Sequence, residues 1–294
     1  MAFIHTHINL KFYLRILKLL ALFESKTFLL PKVAVLVLFM FSLNTLFEDY
    51  LAKFFGFHDL GLINDFLANT IHRGKIFYVS TLGVNHLGWH FSPTLFLVTP
   101  FYLIFDSQFI LLALNALAIY FSISLLSKLA FDIFKKNNFC LEFIWFAILA
   151  FIILTSLGTF TINVLGAGHF EVFYIPIVSL IFYFYCKGFK TWLIFALMGL
   201  AWGIRQDAGF ILSFQLISLL FIPSRFILDD QKPRKKVLIY GALFSILATI
   251  FITMVIIPLY GTSVNWHATR LWGHFGGNYS DIFFTLLLHP GVLY

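Results

Sequence analysis

The chain has 294 residues, of which 61% are hydrophobic and 11% charged, with a mean hydropathy of +0.93. That excludes an ordinary soluble domain, in which about a quarter of residues are charged, and predicts an all-α polytopic integral membrane protein. The net charge of +7 is informative through its distribution, and nothing else in the sequence points to nucleic acid as a partner.

Residues 1–27 open the chain with Lys11, Arg15 and Lys18 at helical spacing beside Phe12, Ile16, Leu17, Leu19 and Leu20. This pattern predicts a cytoplasmic amphipathic segment on the inner leaflet, where each positive charge is worth about 1 kcal/mol. Lys18 interrupts the apolar core that a signal peptide needs. Residues 28–294 read as a single membrane domain. Its first oily run, 29–47, is close to the ~20 residues that cross a bilayer as a helix. Further runs cover 107–127, 139–157, 172–186, 191–204, 208–222 and 237–260, giving about seven transmembrane helices, the fourth to sixth of them short. The run 93–105 carries Pro93 and Pro100 against a polar loop and reads as interfacial or re-entrant.

With a cytoplasmic amino terminus, all of the 20 Lys and Arg except Lys53, Arg73, Lys75, Arg205 and Arg270 fall on the inner side. This is the asymmetry of the positive-inside rule and predicts an inner-membrane protein whose functional face is extracytoplasmic. That outer face comprises a first loop over 48–106, with interfacial helices, and a terminal loop over 261–294. Cys140 and Cys186 stand apart and suggest neither a disulfide framework nor a zinc site.

Most non-basic functional groups gather on the outer side. The first loop holds Asp59, Asp65, His86 and His90; His169 and Glu171 precede the fourth span; Arg205 and Asp207 lie between the fifth and sixth; Arg270 follows the seventh. Ionisable groups at membrane depth mark function by default, although an Arg205 ion pair with Asp207 or Glu171 would also tie helices together. Asp59 and Asp65 are six residues apart, about 600° of helical rotation, so they face different ways and need not act as a pair. Either suits a general base, and Asp59 also suits the cap of a short helix. His86 and His90 share a helical face, but Gly88 lies between them where a zinc-protease motif has glutamate, so hydrogen bonding to a polar ligand is favoured over metal. Trp89, Trp202, Trp266 and Trp272 fit an outer aromatic belt, with sugar stacking as the alternative.

Several blocks together carry a resemblance: His58-Asp59-Leu60-Gly61 with Asp65, Asn85-His86-Leu87-Gly88-Trp89-His90-Phe91-Ser92-Pro93, Gly168-His169-Phe170-Glu171, Arg205-Gln206-Asp207-Ala208 and Leu288-His289-Pro290. In this order, over about 45–294, they resemble the predicted membrane proteins of unknown-function family 2079, with Phe170 where proline is expected. That family is grouped with the GT-C type glycosyltransferases, so the resemblance implies a GT-C-like fold. It implies transfer of a sugar from a polyprenyl-phosphate donor to an acceptor at the outer membrane face. By position Asp59 would be the catalytic base. Arg205 and Arg270, with His86, His90 or His169, would face the leaving phosphate, and Asp65, Glu171 and Asp207 would contact or position substrate. Some GT-C enzymes use a divalent metal, which is not assignable here. Relatives run further, which implies a chain incomplete at its C-terminus and a second half-protein or complex partner. The rival functions are a lipid or solute transporter or flippase and a non-catalytic membrane remnant; a transporter predicts polar groups near mid-span.

Overall fold

The computed structural model describes residues 29–51, 57–105, 107–156, 169–228, 235–260 and 273–289. The chain runs through α1 (Leu29–Leu51), α2 (Phe57–His72), a hairpin of β1 (Tyr78–Val79) and β2 (Val84–Asn85), and α3 (His86–Trp89). A 3-10 turn, Pro93–Val98, leads into α4 (Thr99–Phe105), followed by α5 (Gln108–Lys136) and α6 (Leu141–Ser156). A second 3-10 turn, Phe170–Phe173, opens α7 (Tyr174–Lys187); then come α8 (Thr191–Trp202), α9 (Ala208–Leu219), α10 (Lys235–Phe251) and α11 (Tyr279–Leu288). α10 continues through a π turn, Ile252–Ile256, to Leu259.

Among the described residues, four segments are long and apolar enough to cross a membrane: Leu29–Leu51, Gln108–Lys136, Phe170–Lys187 and Lys235–Leu259. The other three expected spans fall on α6, α8 and α9, which have 16, 12 and 12 residues. The all-α membrane architecture therefore stands, while length alone supports a crossing for four of the seven runs. α1 extends to Leu51, so the expected outer loop starts later than residue 48. The 93–105 run forms the 3-10 turn and α4, too short to span by itself. The expected amphipathic segment 1–27 lies outside the described residues.

Local chemistry sets the helix ends. The Ser107 hydroxyl accepts from the Phe109 N–H at 3.2 Å to start α5, and Gly188, at φ +72°, ends α7 in the left-handed conformation that glycine adopts without strain. Within the apolar helices, Ser122, Thr155, Ser213 and Ser245 donate to carbonyls three or four residues back, which satisfies hydroxyls that hydrocarbon cannot. Large apolar side chains such as Phe41, Phe146, Leu154, Phe214 and Leu259 point outward, as a lipid-facing surface requires.

Neighbouring helices alternate in direction. Phe47 and Tyr50 near the end of α1 pack on Phe109 at the start of α5, while Phe134 near the end of α5 packs on Phe143 in α6. α5 and α7 run parallel, since Asn115 meets His169 and Asp132 meets Lys187. α8 and α10 are parallel too, with Trp202 Nε1 donating to Ser245 Oγ at 3.0 Å. One end of the bundle is basic. There Asp132 takes both Lys128 and Lys187, Lys136 donates to the Ile227 carbonyl at 2.9 Å, and Asn137 donates to the Arg225 carbonyl at 3.1 Å.

α9 and α10 approach closely because Gly209 has no side chain. A Cβ there would run into Thr249 Oγ1 and the Ser245 carbonyl of α10, the small-residue contact by which apolar helices pack in membranes. Gly209→Ala is expected to destabilise by about 1–3 kcal/mol, read as a lower thermal midpoint of the detergent-purified chain. Gly199→Ala, with open space around it, should cause no such loss.

Candidate functional site

The loop between α1 and α5 is organised around a buried aromatic ring. Phe77 takes φ +52°, which a residue with a side chain rarely adopts, and its burial against Phe66 at 5.3 Å offsets that strain. Its N–H donates to Thr70 Oγ1 at 2.9 Å, and its carbonyl accepts from the His86 N–H at 2.7 Å. Buried Asn69 supports the same turn: its Nδ2 lies within 2.9 Å of Asp65 Oδ1, the Tyr78 carbonyl and Ser80 Oγ. Asp65 also accepts from the Thr81 N–H at 3.1 Å. Asp65 Oδ2 thus ties α2 to the hairpin turn, while Oδ1 steadies the Asn69 side chain within α2.

The hairpin delivers the histidines. Asn85 caps α3, its Oδ1 accepting from the Leu87 N–H at 2.9 Å while its Nδ2 donates to the Ile76 carbonyl at 2.9 Å. α3 is a single turn, which holds the rings of His86 and His90 at 5.8 Å, with Trp89 stacked on His90. His86 is 3% exposed and packs against Phe66, with Nδ1 2.9 Å from Ser92 Oγ. Ser92 Oγ also lies 3.2 Å from the His90 carbonyl, so its hydroxyl bridges the His86 ring and the backbone of the next histidine.

Burial pulls the His86 pKa down to about 4, because the imidazolium loses its hydration. The unfolded chain protonates near 6.5 and the folded chain only near 4, so His86 adds stability above pH 6.5 that is lost as pH falls toward 4. The loss should be about 2 kcal/mol between about pH 7.5 and about pH 5. Thermal midpoints across that range should fall less steeply for His86→Asn, which keeps a polar partner for Ser92 without titrating; parallel slopes would refute the assignment.

The Ser-Pro-Thr corner then docks this block on the end of α8. The Thr94 N–H donates to the Gly203 carbonyl at 2.9 Å and its hydroxyl to the Leu200 carbonyl at 2.8 Å, satisfying acceptors that a helix end leaves bare. Arg205 follows two residues later. Its NH1 donates to Glu171 Oε1 at 3.0 Å. Asp207 Oδ1 lies 3.0 Å from Arg205 Nε, yet both atoms lack a hydrogen bond, so this is a charge contact off the line of the N–H. His169 Nδ1 stands 3.8 Å from Glu171 Oε2. Phe170 closes the cluster from the α7 side, its ring 5.7 Å from that of His86 and 6.0 Å from that of His90. The last turn of α10 packs against α3 at the same end.

Six of the residues expected from sequence, His86, His90, His169, Glu171, Arg205 and Asp207, therefore gather at the end of the bundle opposite the basic one. Asp65 instead braces the loop that carries the histidines. Asp59 lies within α2, which is already helical at Phe57, so Asp59 does not occupy the cap position; its side chain lies outside what is described. Arg270 falls outside the described residues. Sequence reasoning missed Asn115, whose Nδ2 donates to the His169 carbonyl at 3.0 Å. Its signal was an amide inside an oily run. Among the described residues no three of His, Cys, Asp and Glu are grouped so as to hold a metal ion.

These features define a helical membrane protein with a cluster of polar and charged groups at one end of the bundle and a basic face at the other. The chain belongs to the family described as predicted membrane protein (DUF2079), which it matches over residues 50–294. No curated protein and no solved structure matches it.

Proposed function

We propose that the chain is a GT-C-like glycosyltransferase that moves a sugar from a polyprenyl-phosphate donor to an acceptor at the extracytoplasmic face of the inner membrane, with its amino terminus in the cytoplasm. The observation that carries this reading is the convergence of the histidine, His-Phe-Glu and Arg-Gln-Asp segments, distant in sequence, at one end of the helices. A transporter would hold such groups near mid-span and alternate their exposure. Here they cluster at helix ends.

The short helices support a crevice that a lipid headgroup can enter from the side. A helix of 12 residues rises about 18 Å against about 30 Å of hydrocarbon, so a turn at the end of α8 stops roughly 12 Å short of a full crossing. Arg205 at that depth needs counter-charges and water, and Glu171 with Asp207 supplies the charges.

In this reading Asp59 accepts the proton of the acceptor hydroxyl as that oxygen attacks the anomeric carbon, and the sugar–phosphate bond breaks. The polyprenyl phosphate departs with the bonding electrons, stabilised by donors from His90, His169, Arg205 and Arg270. His86, neutral at physiological pH, contributes shape and an acceptor rather than charge. Membranes containing the chain are expected to consume a labelled polyprenyl-phosphate sugar that control membranes leave intact. Correct insertion with no donor consumed would turn the case toward transport, tested by flux of the same lipids.

A further inference from the structure

Five buried polar atoms in the segments that meet at this end of the bundle have no hydrogen-bond partner among the described residues: Asn115 Oδ1, Glu171 Oε2, Arg205 Nε, Gln206 Oε1 and Asp207 Oδ1. Four are oxygens that only accept when the carboxylates are ionised, and the one donor already lies against one of them. Leaving a buried acceptor alone costs about 1–3 kcal/mol, so several at one site form an arrangement that a bound molecule relieves. Buried hydroxyls elsewhere, such as Ser127 and Thr249, can rotate toward a carbonyl of their own helix. Amide and carboxylate oxygens have no such recourse.

The two amides carry the information about the ligand. Asn115 is 1% exposed and sits about 10 Å along α5 from its first residue. Its orientation follows from chemistry: the His169 carbonyl can only accept, so the nitrogen faces it and the oxygen is the end left over. Gln206 occupies the turn between Arg205 and Asp207. The oxygens left over on Asn115 and Gln206 are acceptors, which suit a ligand group that brings O–H or N–H donors.

We infer that Asn115 and Gln206 are specificity-determining residues of the proposed site, accepting hydrogen bonds from hydroxyl or amide groups of its ligand. The inference rests on the proposed function for the ligand being a sugar, and adds which side chains read it and in which sense.

The test measures binding without turnover. The full chain in lipid nanodiscs is titrated with polyprenyl-phosphate monosaccharides, comprising hexoses, pentoses and monodeoxy analogues of each, and with sugar-free polyprenyl phosphate. Wild type should bind at least one monodeoxy analogue about 10-fold more weakly than its parent sugar, the value of one buried hydrogen bond. Gln206→Met, similar in length but without the acceptor, should weaken the parent by a similar factor and no longer distinguish that analogue. Gln206→Glu, which keeps an acceptor oxygen, should still distinguish it. Asn115→Leu should lose discrimination at a different hydroxyl; because Asn115 also braces His169, the Gln206 variants decide the matter if Asn115→Leu fails to fold.

Unchanged affinity and discrimination in Gln206→Met would overturn the inference, as would a wild type that prefers sugar-free polyprenyl phosphate or binds none of the panel. Magnesium or manganese binding alone, lost in Gln206→Met, would also overturn it by making the oxygens a cation site. Sugars that bind with this pattern but are never transferred would instead sink the transferase reading and leave the inference standing.

Discussion

Asp59→Asn is expected to lower sugar transfer by about 100-fold to 10,000-fold, the range that a general base contributes, with the protein still folded and inserted. The isostere keeps volume and helix propensity while removing the basic oxygen. The two acids of α2 should behave differently. Asp65 is committed to the Asn69 side chain and the Thr81 N–H, so Asp65→Ala removes the side-chain link between α2 and the hairpin turn and should lower stability by about 1 kcal/mol. The chain therefore predicts one acid whose loss is kinetic and one whose loss is structural. Turnover with labelled donor and thermal unfolding of the same preparations measure both; wild-type turnover by Asp59→Asn would refute the base assignment.

Arg205→Ala is expected to destabilise the chain by about 2 kcal/mol, between the near-zero value of exposed pairs and the larger cost of breaking buried ones. The intermediate value follows from partners that are about one-third exposed. Removing the guanidinium leaves Glu171 and Asp207 as neighbouring carboxylates with no strong cation among the contacts described for them. Glu171→Gln in the same chain removes one of them and should recover much of the thermal midpoint. If the double variant is no more stable than Arg205→Ala alone, the ion pair is not what holds α7 to the α8–α9 turn. Donor binding separates the roles further, because stability can be recovered by the double variant while phosphate affinity cannot.

The apolar runs were legible because crossing hydrocarbon demands a long stretch without charge, and that demand is written locally. All seven expected runs correspond to helices, with shifts only at ends that depend on turns, such as the 3-10 start at Phe170 and the extension of α1 to Leu51. The family was legible for a related reason: its histidine-rich and Arg-Gln-Asp blocks are contiguous. What the polar groups do was less legible. Asp65 and Asp59 look alike in sequence, and only the hairpin folding back onto α2 distinguishes the role of Asp65. Asn115 stood in plain view in an oily run, but its meaning depends on a carbonyl 54 residues away.

That this is a helical membrane protein of its family could be read from the chain alone, because hydropathy acts residue by residue and the family's match runs along the sequence. Which polar groups meet depends on how the helices pack. Pairing depends on where Thr94 caps α8, how closely Gly209 lets α9 approach α10, and which oxygens are left without donors once the helices have packed. Those are distances between segments far apart in the chain, and no local pattern encodes them.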